Sequence, residues 1–525
     1  YGRRQRQMCI RDRDKNYYIT TPIYYPSAKP HMGHAYSSII ADFFARFKRI
    51  DGYKVYFLTG TDEHGLKIQR AAEKKGVEPQ AFCDEISETF KNLSKTLNLT
   101  NNDFIRTTES RHKKSVQYLW EELKKNDDIY LSKYSGWYSV SDEAFYNEDE
   151  IEDLDNKKVA ISSKSPVEWV DEESYFFRLS KWEKALLEFY EKNPDFISPA
   201  SRKNEVISFV KSGLKDLSVS RKSFSWGIKV PNDDDHVIYV WLDALTNYIS
   251  ALNYPNKDDE LYKKFWPASV HLIGKDILRF HAIYWPAFLL AAKITPPKKV
   301  YGHGWILSNE EKMSKSKGNI LDPLEIIKHY GLDPLRYYLI KEVSFGNDGN
   351  ISQERLEDCI NSDLANNFGN LCQRVSAFVI KNCDSKVPEK IKFENDDIKI
   401  LDEYSQNLDK LRSEIDNQNI NYYIDYIVNR LFEANKYFND QEPWKKKDDK
   451  IRLNTIVYTT LEIVRKVTFL LYPIIPQSSL KALKISNLEE KDVIFQSIGN
   501  NEFLKKGSDI NKIDILFNKI EKEND

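Results

Sequence analysis

The chain has little of what would place it in a membrane, an oxidising compartment or a metal–sulfur class. No apolar run approaches the roughly 20 residues that span a bilayer. Only five of its 525 residues are cysteine (Cys9, Cys83, Cys359, Cys372 and Cys383), none pairs as C-x-x-C, and positions 84–358 hold none at all. Disulfide frames and zinc knuckles need paired, closely spaced sulfurs, so reduced thiols are expected. Neither sign of charge dominates: 78 Lys plus Arg stand against 80 Asp plus Glu, a net charge of -2. A nucleic-acid partner is therefore not announced by bulk charge and would have to be held by local basic patches. The Gly-x-x-x-x-Gly-Lys-Ser/Thr string is missing, which excludes a P-loop nucleotide site. There is no internal repeat, and no low-complexity tract beyond Lys445-Lys446-Lys447.

A chain of this length divides into two to four domains. Its opening is atypical, with Arg3, Arg4, Arg6, Arg11 and Arg13 behind an initial Tyr1, and residues 1–14 read as a non-native or disordered segment. Residues 17–23 read as a buried strand. From Gly33 a helical stripe follows (Tyr36, Ile39, Ile40, Phe43, Phe44, Phe47, Ile50), then a second strand over Tyr53–Leu58 ending in Gly60-Thr61-Asp62-Glu63-His64-Gly65. Strand, helix, strand at this spacing opens an α/β domain with a Rossmann-like parallel sheet. Between about 130 and 225 acidic loops and aromatic short strands suggest an insertion of roughly 100 residues, with a helix over Tyr175–Tyr190. Sheet and helix alternation resumes at His236–Trp241 and Ser269–Ile273, followed by a helix from Asp276 to Ala292. Beyond Tyr338 the pattern is helical, with stripes near 361–381, 395–415, 419–439 and 452–472, which predicts an all-α bundle.

Two short strings carry the chemistry: His31-Met32-Gly33-His34, and Lys312-Met313-Ser314-Lys315-Ser316 far downstream. The first sits after a strand and at the start of a helix, where backbone N–H groups favour anions. Gly33 permits close backbone approach, and His31 and His34 can donate to phosphate oxygens. The second is a cationic loop flanked by Gly302-His303-Gly304 and Gly318-Asn319. Lys312 and Lys315 can neutralise charge on the β- and γ-phosphates of a nucleotide as pyrophosphate leaves. The expectation is that the two histidines and two lysines meet around one ATP, with Mg²⁺ accompanying it.

These strings, with Thr21-Pro22-Ile23-Tyr24-Tyr25-Pro26, the Gly60–Gly65 loop, Trp241-Leu242-Asp243-Ala244 and Gly274-Lys275-Asp276-Ile277…Phe280-His281, resemble the class I aminoacyl-tRNA synthetases and, among them, the methionyl family. The resemblance runs from about Tyr17 to Ile520. It implies activation of L-methionine by ATP, then transfer to the 3′ end of tRNA(Met). It further implies a methionine site from Ile23, Tyr25, Asp62, Trp241, Ala244, Tyr248, Ile277, Phe280 and His281, with Asp62 on the ammonium and Tyr25 or His281 as a weak donor near sulfur. Gly274 and Asp276 would contact the ribose, and Met313, Ser314 and Ser316 would join the ATP loop. Asn370, Arg374 and Trp444 would read the CAU anticodon. The domains expected are residues 15–120 and 231–300 as the two halves of the catalytic domain, 121–230 as a connective insertion, 301–360 as the lysine loop and stem-contact region, and 361–525 as the helical anticodon-binding domain.

Many relatives carry four-cysteine zinc knuckles in the insertion. Here the corresponding Gly136–Tyr146 stretch has Ser, Asp and Glu, so no structural zinc is expected, as in the metal-free subgroup. An appended dimerisation domain is not evident, which favours a monomer, and the compartment expected is the bacterial cytoplasm or an organelle matrix, with no membrane association. The synthetases for leucine, isoleucine and valine carry an editing insertion of about 200 residues, too large for this chain. A cysteine-specific enzyme needs a zinc site, a small nucleotidyltransferase lacks the helical extension, and a non-catalytic descendant would not keep both phosphate-handling strings.

Overall fold

The structure, a computed structural model, describes residues 15–26, 29–142, 144–308, 311–312 and 322–521. The described residues form two compact units, one within 16–30 and 55–303, the other within 31–54 and 304–521 together with Lys15.

The first unit holds the parallel sheet. Its strands are β1 (Asn16–Thr20), β2 (Lys54–Thr61), β3 (Asp103–Arg106), β4 (Ile197–Ser198), β5 (Val270–Gly274) and β6 (Val300–His303), in the spatial order β3-β2-β1-β5-β6-β4. The registers of β2 with β3, β1 with β5, β5 with β6 and β6 with β4 are all parallel. β2 runs through Gly60 because any Cβ there would fall 2.0 Å from the Ile105 carbonyl oxygen of β3. The edge strand β4 was not foreseen: two residues of the insertion complete the sheet.

Three sequence expectations need correction. Tyr175–Phe177 belong to the strand Glu168–Phe177, paired with Ile129–Tyr138, and the helix starts only at Glu183. Consecutive aromatics suit a pleated surface, and the helical charge pattern begins after them. Asp233–Ile238 lies in a separate three-stranded antiparallel sheet between Ser220–Arg221 and Lys229–Val230. Trp241 therefore stands on the helix Val240–Leu245, not on a strand. The segment expected as one helix from Asp276 winds as a 3₁₀ turn (Lys275–Ile277), a π turn (Phe280–Tyr284) and an α-helix (Trp285–Ala291). Pro286 has no N–H to give the Ala282 carbonyl four residues back, and the Tyr190 hydroxyl donates to that carbonyl instead, at 2.6 Å.

The second unit is mainly helical: α1 (Met32–Ile50), α2 (Asn370–Asn382), α3 (Asn395–Asp416), α4 (Ile420–Gln441) and α5 (Lys450–Leu471) agree closely with the predicted stripes. It also contains a small sheet in which Ile306–Ser308 pairs with Gly349–Ile351, a strand inside the stretch expected to be helical. Arg452 of α5 grips Asp397 of α3 with both terminal nitrogens, and Tyr437 of α4 shares that carboxylate. α1 is buried nearly all round, not along one stripe only. Phe43 and Phe47 pack edge-on against Tyr423, and the polar side of the helix, with Asp42, Arg46 and Lys48, is buried too. Burying those charges is tolerable because they are paired. Asp42 receives Arg46 Nε at 2.7 Å and Arg336 Nη2 at 2.8 Å, while Lys48 meets Asp416.

Replacing Asp42 with Ala strands two buried guanidiniums, and should lower stability by about 3–5 kcal/mol. The midpoint of urea unfolding followed by helical circular dichroism measures this, and an unchanged midpoint would refute the role given to the carboxylate.

Candidate functional site

In an open parallel sheet, ligands collect outside the carboxyl ends of the strands where strand order reverses. Here that point lies between β1 and β5. The segment Thr21–Pro26 leaves β1 on one side, and Gly274–His281 leaves β5 on the other. At Gly274 the Asp276 carboxylate folds back over the backbone, its Oδ1 2.6 Å from where a Cβ would stand.

Beside this crevice the structure gathers most of the predicted apolar site. Trp241 lies face to face on Phe280, ring centroids 3.7 Å apart and planes within 8°. Ile23, Tyr25, Trp241, Ile277 and Phe280 are partly buried against a core that includes Tyr248, and Ala244 is buried on the same helix as Trp241. His281 Nδ1 is 3.0 Å from the Ile277 carbonyl, and Nε2 is 2.7 Å from the Tyr248 hydroxyl. A carbonyl can only accept, so Nδ1 carries the hydrogen and Nε2 accepts from Tyr248. Burial pushes His281 down to about 4 against the pull of the Ile277 carbonyl, leaving a neutral ring at pH 7. Behind Tyr248, His271 stacks at 4.0 Å and is likewise driven well below the usual histidine range by burial. Trp285 donates to its Nε2 at 3.3 Å, and Thr20 Oγ1 lies 2.8 Å from its Nδ1. The wall is aromatic, and its two histidines are neutral at pH 7.

The Tyr25 hydroxyl donates to the His64 carbonyl at 3.0 Å, and both His281 nitrogens are engaged, so neither residue offers a hydrogen to sulfur in this arrangement. What remains for a thioether is polarizable ring surface.

Asp62 is buried on the loop after β2, its N–H donating to the Tyr24 carbonyl at 2.9 Å. Its neighbour Glu63 takes both Nε and Nη2 of Arg106, at 2.7 and 2.9 Å, with hydroxyls of Thr61 and Thr108 at 2.6 Å each. His64 Nδ1 then meets Asp243 Oδ2 at 2.6 Å, and the other oxygen of Asp243 meets His112 Nε2 at 2.7 Å. Burial raises the Asp243 pKa, but the two imidazoles outweigh it and hold it below the usual carboxylate value. This buried bridge ties the Asp62 loop to the helix bearing Trp241. Sequence reasoning missed it, although both His64 and Asp243 lie inside quoted motif blocks.

In the other unit, the start of α1 builds a donor pair. His31 is the N-cap: its Nδ1 accepts from the Gly33 N–H at 3.1 Å, and His34 Nδ1 accepts from the His31 N–H at 3.0 Å. Because both Nδ1 atoms accept, each neutral ring carries its hydrogen on Nε2. The rings lie 3.8 Å apart, so two donors stand side by side at the positive end of a 19-residue helix. Both histidines thus hold the first turn of the helix through their Nδ1 atoms. A Cβ on residue 33 would come within 2.9 Å of His31 Cε1, which is why glycine is needed. Lys312 ends a two-residue strand, with Leu307 as its partner, and Met313, Ser314, Lys315 and Ser316 lie outside the described residues.

On the helical bundle, Asn370 is exposed on the first turn of α2 and Arg374 stands one turn on. Arg374 Nη2 donates to Asn439 Oδ1 at 2.7 Å, and its guanidinium lies 5.3 Å from the Phe438 ring. Trp444, 40% exposed, meets Phe438 edge-on at 5.9 Å.

Comparison with known proteins agrees with this arrangement. The family described as tRNA synthetases class I (M) matches residues 17–154 and 148–376, and the anticodon binding domain of methionyl tRNA ligase matches 387–525. A methionine–tRNA ligase of Rickettsia felis is 50% identical over 514 residues, covering 96% of this chain and 98% of its own length. That of Brucella melitensis is 51% identical over 472 residues, 90% of this chain and 92% of the relative. The chain belongs to the methionyl-tRNA synthetase family. A solved structure of the Mycobacterium tuberculosis methionyl-tRNA synthetase in complex with methionyl-adenylate superposes with a TM-score of 0.94 at 45% identity, covering 96% of this chain and 99% of that one. The fold is accordingly the class I catalytic architecture followed by a helical anticodon domain. Among the described residues no cluster of three or more His, Cys, Asp or Glu could hold a metal ion, and no helix is long and apolar enough to cross a membrane.

The low His281 pKa fixes a pH dependence. Between about pH 6.5 and 4 the unfolded chain binds a proton that the folded chain refuses, so this group's contribution to stability falls as pH drops through that window. A His281→Gln protein should therefore lose less urea stability than the wild type between pH 7 and 5. Equal losses in the two proteins would contradict a neutral buried ring.

Proposed function

We propose that this chain activates L-methionine with ATP, forming methionyl-adenylate and pyrophosphate, and transfers the methionyl group to the 3′ end of tRNA(Met). Near full-length similarity to methionine–tRNA ligases supports the reaction class, and the feature that carries the substrate assignment is the neutral aromatic pocket. Such a wall favours a polarizable thioether over charged or hydroxylated side chains. In this proposal Ile23, Tyr25, Trp241, Ala244, Tyr248, Ile277, Phe280 and His281 receive the side chain. Asp62 takes the ammonium, held in position by the Glu63–Arg106 and His64–Asp243 contacts. Gly274 and Asp276 take the ribose.

The methionine carboxylate attacks the α-phosphorus in line, one new P–O bond forming as the bond to the pyrophosphate oxygen breaks. A carboxylate is already ionised at neutral pH, so this step needs no general base. Positioning and charge do the work. The Nε2–H groups of His31 and His34 donate to phosphate oxygens, Gly33 lets the backbone approach, and Lys312 and Lys315, with Met313, Ser314 and Ser316, offset charge on the departing pyrophosphate. Mg²⁺ would accompany the phosphates of ATP and offset part of their charge. The terminal tRNA hydroxyl then attacks the carbonyl of the mixed anhydride, releasing AMP. Asn370, Arg374 and Trp444 read the anticodon with amide, guanidinium and ring surfaces, the groups suited to unstacked loop bases. The domain limits given above, a monomeric state and a bacterial cytoplasmic or organellar setting complete the proposal.

Exchange of pyrophosphate into ATP, run with each of the twenty amino acids, should respond to methionine alone. Lys315→Ala should cut that exchange by about a hundredfold or more while methionine still binds by equilibrium dialysis. Near-normal exchange in this variant would refute the scheme.

A further inference from the structure

We propose that Phe432 is a second base-stacking platform on the tRNA-binding face of the helical bundle, at the opposite end from Trp444. The proposal rests on the anticodon reading of Asn370, Arg374 and Trp444. Phe432 is 62% exposed, far more than a packed phenylalanine, and is among the most exposed large apolar side chains described in the molecule. It does not stand alone. Phe432, Asn435 and Asn439 are spaced i, i+3 and i+7 on α4, one stripe of a single helix face. That stripe is joined to its neighbour at two levels: Asn435 Nδ2 donates to Asn367 Oδ1 at 2.5 Å, and Arg374 donates to Asn439 at 2.7 Å. Asn367, Asn370 and Arg374 repeat the same i, i+3, i+7 spacing across the π-helical turn Ile360–Gly369 and α2.

Two polar rows therefore run side by side, 367–370–374 and 435–439. Trp444 closes one end through Phe438, and Phe432 stands beyond Asn435 at the other. Along α4, Phe432 and Asn439 are about 10 Å apart at 1.5 Å per residue. That length of α4 leaves room for more than one unstacked base along the stripe. Lys436, exposed on the same stripe, offers a cation to the phosphate backbone. Rings for base faces, amides and guanidinium for base edges and a lysine for phosphate make the chemistry of single-stranded RNA recognition. An apolar protein partner would have to cover the exposed amides of Asn370 and Asn439 and the Arg374 guanidinium without polar partners for them, so the occupant assigned is an unpaired base of the anticodon loop.

The test uses the full chain and tRNA(Met) transcript. Phe432→Ala should raise the KM for tRNA in aminoacylation about tenfold, as loss of one stacked base predicts. Phe432→Trp should restore it to within about twofold, which a merely structural role would not do for a side chain so exposed. The ratio of aminoacylation to ATP–pyrophosphate exchange reports the effect free of adenylate chemistry. Trp444→Ala is the parallel arm. If Trp444→Ala weakens tRNA use and Phe432→Ala does not, the anticodon reading stands and the second platform is refuted. If neither substitution moves the KM for tRNA, both fall together. A Phe432→Ala defect that Phe432→Trp fails to rescue also overturns stacking as its cause.

Discussion

The helical unit depends on one buried carboxylate. Asp42 lies in the middle of α1 and receives Arg46 from its own helix and Arg336 from the helix Leu332–Glu342. Arg336 is itself fully buried, and donates also to the carbonyls of Ile474 and Pro473 at 2.8 and 3.1 Å. A lone buried charge would be costly, whereas this set is paired and hydrogen-bonded. The consequence reaches the chemistry. The helix whose first turn carries His31 and His34 is fixed along its length by charges and aromatic rings, so its donor pair starts from a rigid base. A loop of the same composition would have to order itself when an anion arrives.

The same economy recurs in the sheet unit. Polar groups there are buried in closed sets: Glu63 with Arg106, Thr61 and Thr108, and Asp243 between His64 and His112. Each set orients a stretch of backbone, and both converge on the loop bearing Asp62. The neutral histidines beside Tyr248 obey the opposite rule. Burial outweighs the pull of Asp276 and the Ile277 carbonyl on His281, and lowers His271 as well, so both rings are neutral at pH 7.

Much of this was legible in the residues. The strand–helix–strand opening and the four long helical stripes follow from period and residue type. Legibility ended where side-chain partners override local pattern. Pro286 and Tyr190 together turn an expected helix into a π turn, which no periodicity announces. The aromatic run at Tyr175–Phe177 fits either helix or strand until its partner Ile129–Leu131 is known. Tyr25 and His281 looked like donors because their types can donate, yet their hydrogens are committed elsewhere.

By itself, then, the sequence determined which elements form and which residue types the chemistry can draw on. Propensity, capping and motif spacing are local properties, readable over a few turns of chain. Tertiary structure alone decided buried charge states and distant pairings: that His281 is neutral, and that Asp42 meets a guanidinium 294 positions away (336 against 42). Those outcomes depend on desolvation and on contacts between distant segments, and neither quantity exists until the chain has packed.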